Sequence, residues 1–222
     1  MRVEVENRRD IEGTSTWRVL APEFDRCAQR AAAAGAEGVL RYVGAGATAI
    51  VFVDQVGMAY KVARHDDGGD MRQSLRDESE WLDSAASTAI ADHVVRMFDY
   101  DPARDVIVRE YVDGRTGRWS DEGVLQELHD RVRQTMRAAS WGAPEFKGDS
   151  YVRGENGRWV LIDASFALRY GQRLLDYAVE ILDGTRPRGF ERDGDLAFAI
   201  RHEVGLTIDA AAAAPVLARM AG

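Results

Sequence analysis

Three short segments in the first ninety residues of this 222-residue chain combine residue types and spacings suited to holding an anion. In GAGATAIVF, Gly44 and Gly46 carry no side chain, so the backbone can approach a ligand closely, and the amides of such a turn favour phosphate oxygens. In MAYKVAR, Lys61 is flanked by apolar residues on a strand, a costly place for an ammonium unless an anion lies beside it. Lys61 follows Gly44 by 17 residues, a distance that a two-strand hairpin covers while returning the ammonium beneath the turn. In DESEWLDSAA, Glu78 precedes Trp81 and Leu82 by three and four positions and so shares their helix face, whereas Glu80 is rotated away. Glu78 is therefore the expected carboxylate partner of Lys61. Plainer readings stand beside these: a tight hairpin turn uses the same glycines, and an amphipathic helix carries the same acids on a solvated face.

The elements that must position these residues are legible as changes of period. Residues 1–37 read as a helical extension whose Ala-rich segment, Pro22 to Ala34, is closed by Gly35 and either packs on the body or serves as a partner-binding arm. VLRYV, AIVFVD and MAYKVA are β-branched and aromatic runs separated by turns, hence three antiparallel strands, and Asp70 to Ser87 reads as a helix. Two further strands, VVRMFDY and DVIVREY, are joined at DPAR, where Pro102 favours a type I turn. After the link DGRTG a helix is expected from an N-cap at Ser120 to Ser140, with Leu125, Leu128, Val132, Met136 and Ala139 on one face. The hairpin YVR-GENG-RWVLID follows, and the last sixty residues read as mostly helical around a loop at DGTRPRGFERDG.

In this order the motifs resemble the protein-kinase-like superfamily over roughly residues 39 to 170. GAGATAIV is similar to its glycine-rich loop, with Ala49 in place of the third glycine; AYKV is similar to the VAIK strand, Glu78 to the helix-C glutamate, and VIVREYVDG to the strand and hinge. The fold implied is α+β and two-lobed: a five-stranded antiparallel N-lobe sheet plus helix C over 38–113, and a truncated, mostly helical C-lobe over 114–222. The resemblance implies ATP as cofactor, bound by Gly44, Ala45, Gly46, Ala47, Val51, Ala59, Lys61 and Glu78, with the backbone of Glu110, Tyr111 and Val112 on adenine. VLIDAS stands where the family has DFG, which makes Asp163 the residue that would hold Mg²⁺.

The catalytic loop admits two alignments in PEFKGDSYVR. One takes Asp149 as the base, in a loop shortened to 163 − 149 = 14 residues. The other, without a gap, makes Glu145 the base, Lys147 the phosphate-contacting lysine and Ser150 the substitute for the metal-binding Asn. Only 222 − 163 = 59 residues follow Asp163, with no APE motif, a trimming similar to minimal kinases among bacterial effectors and toxins. The activity implied is transfer of the γ-phosphate of ATP to a hydroxyl on a protein. A pseudokinase that binds nucleotide or scaffolds without transfer is the alternative, and a small-molecule kinase or a nucleotidyltransferase on the same fold is the third option.

Composition removes other classes. The formal charge of −8, with 29 Lys+Arg against 37 Asp+Glu, argues against nucleic acid as a partner. No apolar run reaches the roughly 18 residues of a membrane span, and charges occupy MRVEVENRRDIEG where a signal peptide needs apolar residues. A cytoplasmic protein is expected, with delivery into a host cell if it is an effector. Cys27 is alone, so no internal disulfide can form, and it is expected to be a small buried side chain; the four histidines show no zinc spacing.

Overall fold

A computed structural model describes residues 3–46, 48–64, 72–139, 141–142, 144, 146–165, 172–185, 193–204 and 208–221. The elements in chain order are α1 (Arg8–Glu12), α2 (Ser15–Ala33), β1 (Arg41–Ala45), β2 (Ala49–Val53), β3 (Met58–Ala63), α3 (Arg72–Ala86), β4 (Met97–Asp101) and β5 (Val106–Glu110). They continue with β6 (Gly114–Thr116), α4 (Glu122–Ala138), β7 (Tyr151–Gly154), β8 (Trp159–Leu161), α5 (Gln172–Leu182), α6 (Asp193–Glu203) and α7 (Ala210–Ala221). The class is α+β. A five-stranded antiparallel sheet has the order β1-β2-β3-β5-β4, and β6-β7-β8 form a second, smaller antiparallel sheet.

Strand alternation decides which side chains meet which helix. Ile50, Phe52, Tyr60, Val62, Val106 and Val108 form one core with Leu20, Phe24, Cys27, Ala28 and Ala31 of α2. Burying a residue such as Leu20 or Phe24 there is worth about 1.5–3 kcal/mol. Ala49, Ala63 and Ile107 point the other way, into a core with Leu75, Trp81, Leu82 and Ala85 of α3 and with Leu125, Leu128, Val132 and Met136 of α4. Lys61 shares the parity of Ala63 and pairs with Val51 and Ile107, so its side chain is directed to the α3 side of the sheet. The helices α5, α6 and α7 enclose a third core.

Several local readings are corrected. The first long helix starts at Ser15, seven residues before Pro22, because Thr14 caps it by accepting from the Trp17 amide at 3.2 Å; Pro22 lies inside the helix rather than at its start. Ser120 is not the cap of α4: it lies in a short 3-10 turn, Trp119–Asp121, in which Asp121 accepts from the Arg118 amide at 3.0 Å. The link DGRTG contains the strand β6, which pairs with β7 from Gly114↔Gly154 to Thr116↔Val152. Asp70 and most of the loop DGTRPRGFERDG lie outside the described residues. Cys27 is 1% exposed, and burial raises its thiol pKa to about 11, as suits a core side chain.

Candidate functional site

Lys61 is 4% exposed and its ammonium is fully engaged. Its Nζ donates to both carboxylate oxygens of Glu78, at 2.8 and 2.6 Å, to Asp163 Oδ1 at 2.8 Å and to Ser165 Oγ at 3.0 Å. Glu78 is completely buried, as the helical spacing to Trp81 and Leu82 requires, while Glu80 is only partly so. Arg109 adds a second buried cation: its Nη1 donates to the Ile162 carbonyl and lies 3.9 Å from Glu78 Oε1. Two cations thus face two carboxylates, which is what makes so much buried charge tolerable.

Asp163 is the open member of this cluster, with a side chain 45% exposed. Burial works to raise its pKa, but the Lys61 charge and hydrogen bonds from Lys61 and Ser165 outweigh that and hold it well below the usual carboxylate range. The Ser165 hydroxyl lies 2.6 Å from Asp163 Oδ1 and 3.2 Å from the Thr48 hydroxyl, joining the Asp163 loop to the glycine-rich turn.

These groups open into a cavity of about 510 Å³. Gly44, Ala45, Gly46, Thr48, Ala49, Val43 and Val51 line it from the large sheet and its turn, and Thr116, Pro144, Lys147, Asp149, Ser150, Ile162 and Asp163 from the second sheet and its loops, with Lys61, Arg109 and Ser165 also lining it. A Cβ built on Gly44 or Gly46 meets nothing within 4 Å, and neither has a positive φ. No packing within the described chain requires glycine there, and the turn presents no side chain to the cavity at either position, while the Gly46 amide itself donates to the Ala49 carbonyl at 2.9 Å.

The opposite wall is set by β7 and β8. Residues Gly148–Ser150 form a 3-10 turn that runs directly into β7, and the Ile162 amide donates to the Ser150 carbonyl at 2.8 Å. That bond ties the Asp149–Ser150 turn to the backbone immediately before Asp163. Beneath it Tyr151 packs with Phe146 and His129, and the Tyr151 hydroxyl is 2.9 Å from His129 Nδ1. Burial lowers the His129 pKa, keeping the imidazole neutral at pH 7.

Of the residues predicted for the site, the structure brings Gly44, Ala45, Gly46, Val51, Lys61, Lys147, Asp149, Ser150 and Asp163 around this cavity, with Glu78 directly behind Lys61. Ala47 and Glu145 lie outside the described residues. Ala59 does not line the cavity; it is 2% exposed, paired with Arg109 across the sheet. Glu110, Tyr111 and Val112 do not line it either. They line a second cavity of about 740 Å³ with Leu82, Val94, Arg96 and Arg158, and the Glu110 amide already donates to the Arg96 carbonyl at 2.9 Å. Arg109, Thr48 and Ser165 were not anticipated. A charged residue in the apolar run VIVRE was a signal for the first; the two hydroxyl residues carry none, because their partners are remote in sequence.

The residues that could hold a polyphosphate are the turn without side chains at Gly44 and Gly46 and the fixed ammonium of Lys61, beside a carboxylate at Asp163 whose second oxygen has no hydrogen bond among the described residues. Among the described residues no three His, Cys, Asp or Glu side chains cluster as metal ligands. Asp163 and Ser150, which both line the cavity, are the residues that could hold a Mg²⁺, an ion that commonly takes one or two protein oxygens and completes its shell with phosphate and water. No helix among the described residues is long and apolar enough to cross a membrane. No family model matches the chain, and no match to it is found among curated proteins.

Proposed function

We propose that the chain is an ATP- and Mg²⁺-dependent phosphotransferase of two-lobed, protein-kinase-like architecture that moves the γ-phosphate of ATP to a hydroxyl on a protein. The observation that carries this reading is the Lys61–Glu78–Asp163 cluster beneath a glycine turn with open space at both glycines. Lys61 neutralises phosphate oxygens, and the buried Glu78 holds its ammonium in place. Asp163 and Ser150 would hold Mg²⁺, which supplies charge neutralisation at the transferring phosphoryl group. Asp149, exposed at the cavity wall, is the residue suited to orient an acceptor hydroxyl and take its proton. Because such transfer depends on positioning and electrostatics, a preorganised cluster of fixed charges is the appropriate machinery.

A second reading, nucleotide binding without transfer, is favoured by one observation: the candidate metal-holding oxygens amount to a single carboxylate and the Ser150 hydroxyl, where the family has an Asp and an Asn. Incubation with γ-labelled or α-labelled ATP and Mg²⁺ tests both. Label transferred from the γ position alone supports the phosphotransferase; from the α position, nucleotidyl transfer. Binding without transfer supports the second reading, and absence of binding at millimolar ATP refutes both.

A further inference from the structure

The glycine-rich turn is held from behind by a residue of the N-terminal helix. Glu23 lies on the sheet-facing side of α2, 3% exposed, and its Oε1 is 2.6 Å from the Nε of Arg64, itself 6% exposed. Arg64 directly follows β3. Its amide donates to the Thr48 carbonyl at 2.9 Å, prolonging the β2–β3 ladder, and its Nη1 donates to the Gly46 carbonyl at 3.0 Å. One planar guanidinium therefore spans a helix carboxylate and a carbonyl of the turn, and such charge-assisted bonds are strong and directional. The same turn leads on through Thr48 to Ser165, and from there to Lys61 and Asp163.

The remaining buried residues of α2, Leu20, Phe24, Cys27, Ala28 and Ala31, are apolar. Partly buried Arg30 makes a second polar tie, its Nη1 donating to the Ala63 carbonyl at 2.7 Å and its Nη2 to the Asp105 carbonyl at 3.2 Å, whereas the Glu23–Arg64 pair reaches the Gly46 carbonyl of the turn. A buried ion pair contributes no more than an apolar pair of similar volume, since both charges lose their hydration. Stability alone does not call for Glu23 and Arg64 at this point of the helix–sheet contact. Their distinguishing property is geometric: they set where the Gly46 carbonyl points. Displacements of about 1 Å in a positioned site cost about 100-fold in rate.

We propose that Glu23 and Arg64 are positioning residues for the glycine-rich turn, which makes α2 a working part of the anion cradle rather than an arm docked on it. The consequence for nucleotide rests on the function proposed above; the consequence for the turn does not.

The test uses the full chain and two readouts. Amide hydrogen exchange over residues 44–49, measured without ligand, should be about tenfold faster in Glu23→Gln and in Arg64→Met than in the unsubstituted chain, with β5 unchanged. Arg64→Lys, which retains the charge but cannot bridge two acceptors, should fall between. The Kd for Mg-ATP should rise about tenfold in the same variants. Leu20→Ala is the control: it loosens the apolar contact of α2 and should leave exchange over 44–49 close to normal. If Glu23→Gln does not fold, Glu23→Asp keeps the charge and withdraws it by one methylene, and a selective rise over 44–49 is expected there too. Unchanged exchange in the Glu23 variants, or an equal rise in Leu20→Ala, overturns the proposal. If the unsubstituted chain has no affinity for Mg-ATP while exchange responds as expected, the nucleotide reading fails and the positioning role stands.

Discussion

Glu78→Gln is the most informative single change, because it removes a charge without removing volume. Glu78 is completely buried and touches Lys61 with both oxygens. Without its charge, Lys61 and Arg109 are left facing only Asp163, which is 45% exposed and correspondingly screened. Breaking a buried pair from one side costs about 3–5 kcal/mol, a large share of the roughly 5–15 kcal/mol of a whole domain. At about 2–4 °C per kcal/mol for a chain of this size, the melting temperature should fall by about 6–20 °C. Lys61→Met should cost a comparable amount, since Glu78 then keeps only the Arg109 charge, 3.9 Å away, and the neutral Ser165 hydroxyl at 3.2 Å. The double variant removes both charges and should be milder than the sum of the two by about 2 kcal/mol or more. Urea unfolding of the four proteins at pH 7 measures this. Single costs below about 1 kcal/mol, or strict additivity, would refute the view that this cluster is a desolvated, mutually compensating set.

Three more outcomes are expected. Gly46→Val should abolish Mg-ATP binding by calorimetry while moving the urea midpoint little, because its Cβ meets nothing within 4 Å and the added methyls project from the turn lining the cavity. Asp149→Asn should lower phosphotransfer at saturating ATP by about 100-fold or more and spare nucleotide affinity, whereas Glu145→Gln should cost much less; the reverse order would make Glu145 the base. His129 is held below its ordinary pKa by burial, so between that depressed value and about 6.5 the unfolded chain binds more protons than the folded one. Its contribution to stability is complete above about pH 6.5 and is lost as pH falls through the depressed value; His129→Gln should flatten the pH dependence of unfolding free energy below pH 6.5.

The local part of this protein was legible because its periods are unambiguous. Runs of β-branched and aromatic residues, separated by Gly-rich or polar turns, are distinct enough to give five strands, and Lys61 is two positions from Ala63, so the two share a face of the sheet by parity. The spacing of Glu78 to Trp81 and Leu82 places its carboxylate on the buried face of α3 before any tertiary contact is known. Asp163 came from resemblance of VLIDAS to a known motif rather than from any period. The three-residue β6 escaped because Gly-Arg-Thr has no apolar alternation; its strand character comes from pairing with β7.

Tertiary structure decided what meets across long separations. The contact of Lys61 with Asp163 spans 102 positions, and that of Thr48 with Ser165 spans 117; no local period encodes either. It also decided that residues 110–112 line a separate cavity and that the Glu110 amide is bonded to the Arg96 carbonyl. Glu23 shows the limit most clearly. On an isolated amphipathic helix an acid reads as solvated, since exposure is the cheaper state of a charge. Only when α2 docks on the sheet does Glu23 lie 2.6 Å from Arg64, and then the pair lowers the cost of burying both charges and fixes the carbonyl of Gly46.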